Sequence, residues 1–205
     1  MEWILVIGLF VAFLMTTNVG TWIRFTLHYA VKFKKLEGID VVNMDGSKAR
    51  FIMLLGSLTL LPDNVLELMK EKKVLILYSK SREGFIEGNY SGLFNGEENY
   101  IFVWDDGLRG NWGWQVTTLI HEVGHFVDYF VGGRNRFLSC IDVSLHNIYD
   151  GEHKYYERYA NGTYYTSNIR EYFAQSFAEY FLVTGFKQQC PDTASYIETV
   201  LNKIS

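Results

Sequence analysis

The sequence predicts an α+β domain with a hydrophobic segment at its N-terminus. Three observations predict it. Val74–Tyr78 and Tyr100–Trp104 are short runs rich in β-branched and aromatic residues, with the length of strands. Residues 114–131 and 169–184 carry apolar side chains at helical spacing and are bounded by helix start and stop signals. The window from Trp3 to Ile23 contains no charge, unlike anything that follows.

The chain has 205 residues, of which 48% are hydrophobic and 20% charged. That suffices for one core and is too apolar for a disordered chain. A formal net charge of −4 disfavours nucleic-acid binding through a basic surface. Two cysteines, Cys140 and Cys190, exclude a disulfide-stapled scaffold and a zinc finger. They leave one disulfide or two free thiols open.

Residues 1–35 read as a hydrophobic anchor or signal segment followed by a basic stretch, and residues 36–205 as the folded domain. Trp3 to Met15 is almost unbroken apolar sequence. Nothing basic precedes it, and no small-x-small cleavage site follows. An uncleaved membrane anchor through residues 3–23 is the preferred reading, over a cleaved signal or a helix buried in a partner. Arg24, Lys32, Lys34 and Lys35 suit anionic headgroups. The expected location is therefore membrane-anchored or exported. Ile23–Phe33 alternates like a strand but also fits a helix continuing from the anchor.

The body reads element by element. Ser47–Leu61 is expected to be helical, capped by Asp45. Asn64–Lys72 is a second helix, with Asp63 as its cap. Val74–Tyr78 is a strand. Gly88–Phe94 with Asn95-Gly96 reads as a hairpin arm and turn leading to Tyr100–Trp104. A helix from Trp114 to Val131 is stopped by Gly132-Gly133. Residues 134–167 are tyrosine-rich and read as irregular. Asn168 or Ser167 caps a helix over 169–184, and Pro191-Asp192 opens the last one.

His121-Glu122-Val123-Gly124-His125 carries H-E-x-x-H. Two histidines four apart stand one turn above each other, so their ring nitrogens can share one metal ion. Glu122 lies beside that face, where its carboxylate can take a proton from metal-bound water. Zinc suits this chemistry because it acidifies its water and polarises a carbonyl. Gly124 would let another segment approach the helix closely. A third ligand is needed. Position 131 is Val131, which excludes a third histidine six residues after His125. The helix over 169–184 offers two candidates, Glu171 and Glu179.

The chain from about Gly38 to Phe181 resembles the zinc metalloprotease domain of anthrax toxin lethal factor and its relatives, including clostridial Pro-Pro endopeptidases. The resemblance rests on Leu60-Leu61-Pro62, Gly88-Asn89-Tyr90-Ser91-Gly92, the H-E-x-x-H segment with Asp128 three residues on, and Glu171-Tyr172-Phe173-Ala174 followed by Phe177-Ala178. It implies a zincin-like fold: a small mixed sheet, an H-E-x-x-H helix and a second helix bearing a glutamate. It implies Glu171 as the third ligand of one zinc ion, Tyr164 as the oxyanion donor (Tyr165 in the neighbouring register), and Glu122 as general base of a zinc endopeptidase acting on protein or peptide substrates. Asp128 is expected to accept from a ligand histidine. The sequence departs from the family at Gln175, where an acidic residue is often found. The substrate-selecting loops show no match, so a proline preference does not carry over. The competing expectation is a zincin-fold structural or binding module with little turnover.

Overall fold

The computed structural model describes residues 34–80, 91–104, 113–133, 136–158 and 167–204. The hydrophobic N-terminal segment, the alternating stretch 23–33, Asn89, Tyr164 and Tyr165 lie outside the described residues. Contacts divide the chain into Met1–Glu37 and Gly38–Ser205; the elements below belong to the second unit.

Four strands form one sheet in the order β1-β2-β4-β3. β1 (Asp40–Asn43) runs parallel to β2 (Leu75–Ser79), and β2 runs parallel to β4 (Tyr100–Trp104). β3 (Gly92–Asn95) is antiparallel to β4, with Leu93 opposite Phe102 and Phe94 opposite Ile101. β4 is buried along Ile101–Trp104 without alternation, as a strand covered on both faces must be. The parallel β1–β2 pair needs a crossover, and α1 (Lys48–Leu58) and α2 (Asp63–Glu71) supply it.

β1 was not anticipated. It offers only Val41 and Val42 between two polar residues, and Val42 remains 44% exposed. Its strand geometry comes from parallel pairing with a segment 35 residues away. Two cap expectations are corrected. Asp45 does not cap α1; it accepts from Ser79 Oγ at 2.7 Å and from the Lys80 N–H at 2.6 Å, tying the turn after β1 to the end of β2. Asp63 falls inside the first turn of α2, with Pro62 at the cap.

α3 (Gly113–Gly132) packs on β3, β4 and α1, and its C-terminus leads into Gly133 at φ +68°. The supposed irregular region is largely helical: α4 (Leu138–Ile141), α5 (Val143–Glu152) and a 3-10 turn (His153–Arg158). Asp142 caps α5 through the Ser144 N–H. Helices this short draw their stability from packing rather than periodicity, and α5 buries only Leu145 fully. α6 (Ile169–Leu182) is capped by Asn168, whose side chain accepts from the N–H groups of Arg170 and Glu171. α7 (Phe186–Gln189) and α8 (Pro191–Asn202) close the domain. Glu152 of α5 accepts from the Thr193 N–H and hydroxyl, satisfying the start of α8 from a distance. Cys140 is exposed and Cys190 is buried, and the two are not joined by a disulfide.

The core lies where α3 and α6 cross. Leu119, Ile120, Val123, Phe126 and Val127 meet Phe173, Ala174, Phe177 and Ala178, all fully buried. Gly124 makes this close approach possible. A methyl there would stand 2.9 Å from the Ala174 Cα and 3.0 Å from its carbonyl oxygen. Among the described residues no single helix is long and apolar enough to cross a membrane.

Candidate metal centre

Two polar lines cross in this apolar interface. α3 contributes His121 and His125, and α6 contributes Glu171 from its first turn. His121 Nε2 lies 3.2 Å from Glu171 Oε2, and His125 Nε2 lies 3.4 Å from Glu171 Oε1. The ligand atoms of all three fall within 4.8 Å of one another. The two imidazoles meet edge to face, with ring centroids 4.8 Å apart. Each histidine is only 7% exposed.

The donor set fits a divalent cation. Two ring nitrogens and a carboxylate are all electron-pair donors, and they converge where water has little access. His125 Nδ1 is buried and has no partner among the described residues, so no competing bond on that side turns the ring away from Glu171. Burial lowers the His125 pKa to about 4, which keeps the ring neutral. For Glu171, burial alone would raise the pKa. Hydrogen bonds from His121 and His125 outweigh it and hold the carboxyl well below its ordinary range.

Glu122 faces β3. Burial raises its pKa to about 7, opposed by His121 and by a hydrogen bond from the Phe94 main chain. Its side chain occupies the space left by Gly92. Asp128 behaves differently from expectation: its oxygens accept from the Ser139 N–H and hydroxyl, both at 2.6 Å, and no bond to a histidine is found among the described residues. It ties α3 to α4, next to Phe137, whose ring edges His125 and carries the Arg170 guanidinium 3.6 Å above its centre.

The bond to His121 comes instead from Gln175, whose Oε1 lies 3.2 Å from Nδ1. Its position one turn past Glu171 was the only sequence signal for this, and that signal pointed to a lost role. Glu179, the alternative ligand, lies two turns from Glu171 and bonds Gln175, outside the cluster.

A helix presenting two histidines, a second helix presenting a glutamate and a small mixed sheet beneath them together define a metallopeptidase-type domain. The chain belongs to the anthrax toxin lethal factor family: the family's model, described as the N- and C-terminal domain of that toxin, matches residues 60–200. The body is thus a lethal factor-like metalloprotease domain. Among solved structures the fold is similar to that of the Pro-Pro endopeptidase from Paenibacillus alvei, with a TM-score of 0.60 and 20% identity, covering 81% of this chain and 98% of that one. No curated sequence matches the chain.

Proposed function

We propose that this chain is a zinc-dependent endopeptidase in which His121, His125 and Glu171 hold one zinc ion and Glu122 is the general base. The observation that carries this reading is the convergence of two imidazole nitrogens and both Glu171 oxygens, although Glu171 lies 46 residues after His125 in sequence. Family membership supports the same reading.

When bound, zinc would polarise the scissile carbonyl and acidify the attacking water. Glu122 is 6% exposed and anchored to the β3 main chain, which suits it to take the proton of that water and deliver it to the leaving amine. His121 and His125 hold their rings on one helix face, so the substrate meets a preset geometry. Tyr164 donates to the developing oxyanion, a contact worth about 3 kcal/mol in comparable sites. β3 is an edge strand beside Glu122, and its main chain can pair with an extended peptide. The substrate is a protein or peptide. Residues 3–23 tether the enzyme to a membrane or direct its export. Carbonate extraction of membranes from cells expressing the full chain checks this, and full release into the soluble fraction with residues 3–23 still attached argues against a tether.

Metal analysis by mass spectrometry, paired with peptide-library cleavage, tests the catalytic reading. Wild type and Glu122→Gln should carry one zinc per chain, whereas His125→Ala and Glu171→Ala should lose it. Cleavage should vanish in all three variants. A folded wild-type chain without zinc sinks the proposal, as does Glu122→Gln turning over at the wild-type rate. Zinc without cleavage of any peptide would favour a structural module.

A further inference from the structure

Arg170 is the second residue of α6 and directly precedes Glu171. A cation in the first turn meets the positive end of the helix dipole, an unfavourable place for an arginine with no other role. Its guanidinium carbon lies 3.6 Å above the centre of the Phe137 ring. That ring is half-buried, stands edge-on to His125 with centroids 6.5 Å apart, and meets the Tyr129 ring at 5.3 Å. The wall of the metal centre therefore holds the platform, and the platform holds the guanidinium. Stacking occupies the flat face of a guanidinium and leaves the N–H donors at its rim pointing outward. Arg170 is exposed, and among the described residues no hydrogen bond or ion pair takes those donors. The carboxylates around it are committed elsewhere. Glu171 turns to the two histidines, and Asp128, which feels the Arg170 charge, is held by Ser139. Arg136, next to Phe137 in the chain, is exposed as well and adds a second positive charge.

We propose that Arg170 is a specificity-determining residue: it pairs with an aspartate or glutamate side chain of the substrate within three residues of the scissile bond. The inference rests on the endopeptidase reading above and gives that reading a substrate class. Reach sets the register. The guanidinium carbon stands no more than about 10 Å from the His125 ring centre, which is about three residues of extended peptide. Chemistry sets the ligand. A stacked guanidinium offers parallel N–H donors at fixed spacing, which a carboxylate accepts with both oxygens and an amide isostere with only one. The N-terminus of α6 lies alongside and favours the same sign of ligand. Because Phe137 already orders the guanidinium, little side-chain freedom is lost when the pair forms.

The test is cleavage of paired peptides by the full chain, each pair differing by Asp against Asn or Glu against Gln at one position. Wild type should favour the acidic member of a pair by about three- to tenfold in kcat/KM, the worth of a partly screened bidentate ion pair. The gain should lie chiefly in KM and shrink in about 1 M salt. Arg170→Gln should erase the preference, Arg170→Glu should turn it toward lysine, and Arg170→Lys should keep part of it. A preference that survives Arg170→Gln overturns the proposal, as does a wild type indifferent to acidic residues. Peptides with free and amidated C-termini separate the two sources of a carboxylate. Loss of cleavage on amidation, with no gain from an acidic side chain, overturns the proposal in favour of a chain-end carboxylate. A wild type that cuts no peptide sinks the endopeptidase reading instead. Binding of the same pairs, followed by fluorescence anisotropy, then judges this inference by the charge preference and its loss in Arg170→Gln.

Discussion

Glu122 fits beneath β3 because Gly92 has no side chain. A methyl group on Gly92 would stand 2.7 Å from Glu122 Oε1 and 2.9 Å from its Cγ, with the Thr118 methyl at 2.6 Å. The edge strand and the proposed general base therefore occupy one shared volume, and the strand's backbone helps hold the carboxylate.

Gly92→Ala should separate the two. Either Glu122 leaves its bond to Phe94 or β3 lifts from α3, at a cost of about 1–3 kcal/mol for overpacking. The expected result is a loss of turnover of at least about tenfold with zinc content unchanged, because one tenfold step needs only about 1.4 kcal/mol of the barrier. Parallel cleavage and metal assays check it. Wild-type kcat would show that the contact has no bearing on catalysis.

Gly124→Ala poses helix propensity against packing. Alanine is favoured over glycine by about 1 kcal/mol in a helix interior. Here the added methyl meets Ala174 backbone atoms at 2.9 and 3.0 Å, and backbone cannot swing aside. Overpacking should win by about 1–2 kcal/mol net, lowering the melting temperature by roughly 2–8 °C for a domain of this size. Zinc affinity should fall too, because α3 and α6 each supply ligands. A variant that melts higher than wild type would contradict the close crossing of these helices.

Asp128 predicts a pH dependence. Burial raises its carboxyl pKa to about 6 despite two bonds from Ser139. The native state therefore holds this proton more tightly than the unfolded chain does. Its contribution to stability is full below about pH 4 and is lost as pH rises through about 6. Asp128→Asn cannot titrate. Between pH 4 and 6.5, wild type should lose stability relative to Asp128→Asn by at most about 3 kcal/mol. Thermal melts in excess chelator measure the difference, and parallel curves would refute it.

Asn168→Ala removes the side-chain cap that accepts from Arg170 and Glu171. Loss of such a cap costs about 1 kcal/mol. The first turn of α6 also carries Glu171, so zinc affinity should drop along with stability, whereas Asn168→Asp should retain both. Chemical denaturation and chelator competition report the two effects separately.

Much of this was legible in the chain. H-E-x-x-H at helical spacing fixed which face of α3 carries the chemistry. Gly124 announced a close neighbour. Asn168, Pro191 and Gly132-Gly133 marked helix ends, because capping and left-handed geometry are local properties of a few residues. Short-range patterning likewise located β2 and β4. Helical spacing narrowed the third ligand to Glu171 or Glu179, and the resemblance to the family implied Glu171.

Tertiary structure decided the rest. Spacing along α6 does not tell which glutamate lies opposite α3. The crossing at Gly124 and Ala174 decides it, bringing Glu171 to the histidines and leaving Glu179 two turns below. Asp128 was expected at a histidine but found Ser139, because the chain after Gly133 folds back into α4. β1 acquires its shape from β2, and the helices after residue 137 acquire theirs from packing. Local sequence determined which residues can do chemistry and where helices begin and end. Long-range packing determined which of them meet, because a contact between distant segments depends on helix crossing and strand register, to which no single segment holds the key.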